Sequence, residues 1–316
     1  MKVLYIISLI LLVSCNSELK PDLYLNEIGF NLNDDFEIKE LIGIDNNESA
    51  LFFLDQQYLS DSRANFFVTD IKDKDELINK TKAIDIIFHA AALKHVALCE
   101  KSPEQAVQTN INGIQNIIAA ANANNVKTVI FTSSDKAVNP TNVMGASKRL
   151  SEFILQAFAD QNSETCFSMV RFGNVIDSAG SVVPLFRKQI KEGGPVTVTH
   201  RSITRYFMSI PEAVQLVLQS GSMAKGGDVF VLDMGDPIKI LDLAYRMIHL
   251  SGLKPIDNNN PDGDIKIKFT GLRPGEKLYE ELLIGDDVSK TENPLIMRAK
   301  EDKYEWVDLK SLLDKL

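Results

Sequence analysis

Four short apolar runs, residues 38–44, 84–89, 126–132 and 166–171, are each followed by a stretch of helical spacing. A strand that feeds a helix of ten or more residues does not turn back as a hairpin; the chain crosses over and returns parallel. The runs also lack polar alternation, which is the pattern of strands covered by helices on both faces. The expected fold is therefore α/β, a doubly wound parallel (Rossmann-like) sheet with these four strands adjacent and buried. Helical stretches at 46–58, 75–82, 103–124 and 144–161 and a short strand at 65–68 complete the pattern. Beyond residue 175 the spacing changes. Strands at 196–199, 229–232 and 265–270 alternate with helices at 181–192, 210–220, 238–251 and 276–283, predicting a smaller carboxyl-terminal lobe that closes a cleft over the sheet.

With 316 residues and 45% hydrophobic side chains, the chain is long enough for one large α/β domain with such an appendage. A net charge of −9 with no Lys/Arg-rich block argues against a nucleic-acid partner, and an anionic ligand would have to be held by local Arg or Lys. Cys15, Cys99 and Cys166 lie too far apart for a disulfide framework, and the four His residues show no zinc-type spacing, so no metal is expected. The amino terminus supports two readings. Residues 3–13 are apolar after Lys2 and too few to span a membrane. They fit a signal-peptide core ending in Leu12-Val13-Ser14-Cys15, where Cys15 would be lipidated and anchor an exported protein to a membrane. They fit equally the first, fully buried strand of the parallel sheet.

The richest chemistry follows the third apolar run. Ser133-Ser134-Asp135-Lys136 sets an acid beside an amine, and Lys148 lies one helical turn after Met144. Polar groups at the carboxyl end of a parallel strand stand where open α/β sheets bind ligands. Asp45 ends the first run, where a carboxylate accepts hydrogen bonds from an adenosine ribose or caps a helix. Asp70 and Ala90-Ala91-Ala92 end the next two strands, and small residues there let a flat cofactor approach the backbone. A dinucleotide fold also needs a glycine-rich turn after its first strand. Before Asp45 the only glycines are Gly29 and Gly43, and no such turn is visible.

From about Glu40 to Ala299 the chain resembles the UDP-N-acetylglucosamine 4,6-dehydratases of the CapD-like polysaccharide-biosynthesis family, within the extended short-chain dehydrogenase/reductase superfamily. The resemblance rests on Asp45-Asn46-Asn47-Glu48-Ser49-Ala50, on His89-Ala90-Ala91-Ala92-Leu93-Lys94-His95-Val96 and on the stretch from Asp135 to Lys148. It continues through Arg171-Phe172-Gly173-Asn174-Val175, Ile203-Thr204-Arg205-Tyr206-Phe207-Met208 and Gly271-Leu272-Arg273-Pro274-Gly275-Glu276-Lys277. Most of the superfamily has Tyr four residues before the active-site Lys. Met144 stands there, as in the branch containing the large membrane-bound dehydratases.

The resemblance implies an enzyme that binds NAD or NADP, oxidises a UDP-sugar at C4, eliminates water across C5–C6 and returns the hydride to C6. It implies Lys136 as the C5 base and Asp135 as the acid for the C6 hydroxyl. Lys148 would sit on the nicotinamide ribose and Ser134 beside the C4 hydroxyl, covering with solvent the step that Met144 cannot perform. Asp45, Asp70 and Ala90, Ala91 and Ala92 would line the cofactor, while Lys94, Asn174, Arg205, Arg273 and Glu276 would face the substrate. On that basis residues 1–37 form an atypical amino-terminal segment, 38–175 the NAD(P)-binding core and 176–316 mostly the substrate lobe. A cytoplasmic homo-oligomer is expected. A C5-inverting dehydratase, a nucleotide-sugar epimerase and a non-catalytic lipid-anchored remnant are the alternatives. Hydrogen bonds to charged groups contribute roughly 1.5–3 kcal/mol each. Without two of the glycine-turn bonds, NAD(P) should bind about two to four orders of magnitude more weakly than to an intact relative. Low-micromolar affinity in a calorimetric titration would contradict this.

Overall fold

The computed structural model describes residues 2–6 (as backbone), 38–161, 164–258, 260–284, 287–301 and 303–316. The strands in chain order are β1 Lys2–Ile6, β2 Glu40–Asp45, β3 Ala64–Val68, β4 Ile86–His89, β5 Thr128–Thr132, β6 Cys166–Arg171, β7 Asn174–Val175 and β8 Val196–Val198. They continue as β9 Thr204–Arg205, β10 Phe207–Met208, β11 Val229–Leu232, β12 Ile238–Lys239, β13 Pro255–Ile256, β14 Ile265–Phe269, β15 Val288–Lys290 and β16 Ile296–Ala299. The helices used below are α1 Glu48–Gln57, α2 Lys74–Lys80, α3 Val96–Lys101, α4 Pro103–Ala106, α5 Gly113–Ala123, α6 Val143–Ala159, α7 Val182–Lys191, α8 Ile210–Ser222, α9 Ile240–Leu250 and α10 Trp306–Leu313.

A nine-stranded sheet runs β15-β16-β11-β6-β5-β4-β1-β2-β3. From β3 to β11 every pairing is parallel, and β16 and β15 close the far edge antiparallel. Three of the four expected strands, β4, β5 and β6, are neighbours. The fourth, β2, is separated from β4 by β1, so the expected adjacency is corrected there. Val3 to Ile6 pair with both β2 and β4, as the buried-strand reading of the first residues requires for this part of the run. The Leu12-Val13-Ser14-Cys15 motif lies outside the described residues. Strand order reverses between β1 and β4, the switch point at which open sheets bind nucleotides. None of the described helices is long and apolar enough to cross a membrane.

Alternate side chains of each central strand feed two cores. Ile87, Val129, Phe131, Phe167 and Met169 pack with Ile114, Ile117 and Ile118 of α5 and Ile154 and Leu155 of α6. Phe88, Ile130, Val170, Phe230 and Leu232 pack on the other face with Ala213, Leu216 and Val217 of α8. This two-sided burial explains the unbroken apolar runs. A third core, with Phe186 and Ile190 of α7, Val196 and Val198 of β8, Ile240 and Ile248 of α9, and Ile265, builds the smaller lobe. The chain beyond residue 176 also returns to the main sheet through β11, β15 and β16, and α10 packs beside α6.

Three expected helices differ. The stretch 103–124 is broken by a π-helical segment, Val107–Asn112, which turns Asn110 inward. The stretch 238–251 opens with β12, which pairs with β9. No helix forms over 276–283, because its carbonyls are engaged elsewhere: Lys277 and Leu278 accept from the Arg205 guanidinium at 2.9 and 3.4 Å. The Leu278 carbonyl also accepts the Thr204 N–H at 3.2 Å.

Arg171, fully buried at the end of β6, donates to both Glu152 oxygens at 2.7 and 2.6 Å and to both Glu301 oxygens at 2.5 and 2.8 Å. Arg149 adds bonds to the same two carboxylates. The cluster ties β6, α6 and the segment after β16 together. Removing one member of such a cluster leaves charge buried without compensation, at a cost of about 3–5 kcal/mol. Arg171→Met should lower the free energy of unfolding by about that much in urea denaturation; an unchanged midpoint would contradict the cluster's structural role.

Candidate active site

The chain leaving β5 stays bonded to the chain leaving β6: the Ser133 N–H donates to the Val170 carbonyl at 2.7 Å and the Asp135 N–H to the Phe172 carbonyl at 3.1 Å. A single 3₁₀ turn, Asp135–Ala137, follows, capped by the Ser134 hydroxyl, which accepts the Lys136 N–H at 3.3 Å. Asn142 then caps α6 by accepting the Gly145 N–H at 2.8 Å. A Cβ on Gly145 would collide with the Lys136 carbonyl oxygen, so only glycine lets the helix start so close to the turn. These constraints bring Ser134, Asp135, Lys136, Met144 and Lys148 together at the carboxyl edge of the sheet.

Asp135 is fully buried. Its Oδ1 accepts from the Ser134 hydroxyl and from the Lys136 amine, each at 2.9 Å. Its Oδ2 has no partner among the described residues. A Cβ on Gly173 would stand 3.3 Å from that oxygen and 2.8 Å from the Tyr206 Cβ, so glycine keeps the space beside it open. The Lys136 amine also donates to Asn174 Oδ1 at 3.3 Å and lies 3.6 Å from Glu280 Oε1. Burial acts to lower its pKa, but the Asp135 and Glu280 carboxylates more than offset that and hold it above the ordinary lysine value. The resting pair is an ammonium on a carboxylate.

Lys148 donates to the Thr132 carbonyl at 2.9 Å and stands 4.4 Å over the Phe131 ring. Burial pulls its pKa down to about 7, with Glu152 partly opposing. His89, fully buried at the end of β4, is held neutral with a pKa of about 3 by burial and then by Lys148. Met144 is buried against Cys99 and Ala106 and offers no proton.

Asp45 ends β2, and Asp70 and Ala90 to Ala92 follow β3 and β4, the strands at and beyond the switch point. Asp45 Oδ1 accepts the Asn47 N–H at 2.8 Å. Asn47, rather than Asp45, caps α1 by accepting the Ala50 N–H at 3.2 Å. Asp70 Oδ1 accepts the Lys72 N–H at 2.9 Å and its other oxygen lies 3.4 Å from the Lys72 amine. Ala90 is buried and adds no side-chain bulk. A carboxylate at the end of β2, small residues after β4 and an amine from α6 fit the two riboses of a dinucleotide. Residues 7–37, between β1 and β2, lie outside the described residues.

On the substrate side, Lys94 is half-buried and burial lowers its pKa. Asn174 is committed to Lys136 and, through its Nδ2, to the Tyr206 carbonyl at 3.1 Å. Arg205 is buried, bonded to the Thr204 carbonyl at 2.7 Å and to Glu276 Oε1 at 3.4 Å. Glu276 also accepts the Arg273 N–H at 3.1 Å, and Arg273 itself is exposed. Two residues escaped the sequence reading. Glu280 is buried against Lys136 and Arg205. Asn110 accepts the Leu93 N–H at 2.8 Å and donates to the Ser147 hydroxyl at 2.8 Å, joining the turn after β4 to α6. A polar residue in the apolar spacing of 103–124 was the available signal for Asn110; Glu280 carried none.

The family model described as polysaccharide biosynthesis protein matches residues 30–301. The capsular polysaccharide biosynthesis protein CapD of Staphylococcus aureus is 46% identical over 280 residues, covering 85% of this chain and 45% of that protein. The chain thus spans less than half of that relative. A protein named UDP-glucose 4-epimerase from Rickettsia canadensis is 40% identical over 237 residues, 74% of this chain and 66% of that one. Among solved structures, Pen from Bacillus thuringiensis superposes with a TM-score of 0.79 at 33% identity, covering 100% of this chain and 97% of that one. DesIV, a dTDP-glucose 4,6-dehydratase from Streptomyces venezuelae crystallised with NAD and TYD, shares the fold at 19% identity, a TM-score of 0.71 and coverage of 89% and 88%.

Lys148 gives the site a stability signature. Between pH 7 and the ordinary lysine value of 10.5, the unfolded chain holds a proton that folded Lys148 lacks. Stability should therefore rise with pH across that window. Denaturant melts at several pH values should show that rise, and Lys148→Met should flatten it. An identical slope in the variant would contradict the burial argument.

Proposed function

The chain belongs to the polysaccharide biosynthesis protein family, and from that premise we propose that it is an NAD(P)-dependent nucleotide-sugar 4,6-dehydratase acting on a UDP-N-acetylhexosamine. The observation that carries this reading is the buried Asp135–Lys136 pair beside a proton-inert Met144. Epimerisation at C4 has no use for an acid and a base at C5–C6, whereas elimination needs both.

NAD(P), which Asp45, Ala90 to Ala92 and Lys148 would hold, would supply the hydride chemistry between C4 and C6. Ser134 and Lys148, with solvent, take the C4 hydroxyl proton, since Met144 cannot. A ketone at C4 acidifies the C5 proton. The ion pair prepares itself for that step by one transfer across the 2.9 Å contact, from the Lys136 amine to Asp135. Neutral Lys136 then removes the C5 proton, and protonated Asp135 gives its proton to the C6 hydroxyl, which leaves as water. As the hydride reaches C6, Lys136 returns a proton to C5. The proton released by the C4 hydroxyl restores the amine through solvent, so that both groups end as they began, ammonium and carboxylate. Because the two are coupled, pH profiles report the pair rather than either residue. Of the two arginines suited to the diphosphate, Arg273 is exposed and would meet it directly, while Arg205 is already held by Glu276, Glu280 and the Lys277 carbonyl.

The name of the Rickettsia relative favours a second reading, a C4 epimerase. Product mass separates the two, because only the dehydratase loses water. Purified protein given UDP-N-acetylglucosamine and NAD(P) should form a 4-keto-6-deoxy product. Lys136→Ala and, separately, Asp135→Asn should cut its formation by about 100- to 10,000-fold with the fold retained. Near wild-type turnover in both variants would defeat the acid–base assignment.

A further inference from the structure

Glu280 has no place in the elimination as just described, yet it is buried at the centre of the site. Its side chain is 3% exposed, in the irregular segment that takes the place of an expected helix. One carboxylate oxygen lies 3.6 Å from the Lys136 amine and 3.7 Å from Arg205 Nε. The other is buried and has no partner among the described residues. A buried carboxylate with an unpaired oxygen is costly, and its other oxygen stands between two cations, Lys136 and Arg205.

We propose that Glu280 is a positioning residue for Lys136: with Asp135 and Asn174 it cages the amine, aims it at the substrate and sets how readily it gives up its proton. The inference rests on the dehydratase reading. Four groups face the amine. Asp135 lies on the same turn, Asn174 on β7, Glu280 on the segment before β15, and Arg205 on β9 as a like charge screened by Glu280. Burial and Arg205 act to lower the pKa of Lys136, and Asp135 and Glu280 raise it, the net direction being up. Asp135 cannot serve as a permanent counter-charge, because it must take up a proton and release it to the C6 hydroxyl. Glu280 is not asked to exchange protons. It therefore supplies the steady charge that favours the amine's return to ammonium once C5 has been reprotonated.

The test reads Lys136 directly in the full chain, grown with lysine labelled with ¹³C at Cε and followed by NMR from pH 7 upward. The Lys136 signal is assigned by its loss in Lys136→Arg. In Glu280→Gln, which keeps the shape and removes the charge, Lys136 should begin to deprotonate about one pH unit or more below wild type, the ordinary effect of losing an opposite charge at such range. Lys148, outside the cage, should titrate as before. Should Glu280→Gln fail to fold, Glu280→Asp carries the test, with a smaller shift in the same direction. An unmoved Lys136, or Lys136 and Lys148 moving together, would overturn the proposal, since the latter is what general loosening produces.

Activity supplies the second arm. In Glu280→Gln the high-pH limb of kcat should move to lower pH, with KM little changed. A uniform fall in kcat at every pH would make Glu280 merely structural. If wild-type protein yields no 4-keto sugar at all, the dehydratase reading fails, while the titration still decides whether Glu280 governs Lys136.

Discussion

One buried guanidinium sets the relation between the parts of the site. Arg171 ends β6, and its bonds to Glu152 and Glu301 fix that strand end against α6 and against the chain leaving β16. Helix α6 carries Met144 and Lys148, and the chain after β6 carries Gly173 and Asn174. The turn holding Asp135 and Lys136 is bonded to that same chain. A shift at Arg171 would therefore move the amine of Lys148 relative to the acid–base pair. Buried ion pairs are a weak source of stability compared with apolar packing. Here the geometric demand is strong, because five-donor planar Arg bonded to two carboxylates admits few arrangements.

The second constraint is electrostatic. Two lysines at the cleft are driven in opposite directions by their surroundings: Lys148, buried and bonded to the Thr132 carbonyl, falls to about 7, while Lys136, between two carboxylates, rises. Divergent shifts among neighbouring titratable groups are the usual mark of a site that moves protons. The protein reaches that contrast by burial and by placement of Asp135 and Glu280.

Much of the main sheet was legible because two-sided burial writes strands as unbroken apolar runs, and β4, β5 and β6 fall where those runs stand. The position of β1 was harder to read. An eleven-residue apolar run preceded by Lys and followed by Ser-Cys suits both a strand and a signal-peptide core, and only the pairing of Val3 to Ile6 with two neighbours separates them for those residues. The turn from Ser134 to Lys148 was legible through its crowded polar chemistry, Asn cap and Gly145. Residues 276–283 were misread as helix, because periodicity cannot register a long-range claim on backbone carbonyls by Arg205, more than seventy residues earlier. That same misreading concealed Glu280. Arg171 stood inside a motif and was left without a role, since nothing local distinguishes a charge that will be buried from one that will be solvated.

The central claim is that Asp135 and Lys136 exchange protons at C5 and C6 of a nucleotide sugar. The most direct measurement is the reaction of UDP-N-acetylglucosamine with the protein and NAD(P) in heavy water, read by NMR of the product. A 4-keto-6-deoxy sugar with deuterium at C5, and with the hydrogen from C4 delivered to C6, is the predicted result. A C4 epimer that keeps its C6 hydroxyl and carries no deuterium at C5 would contradict the account.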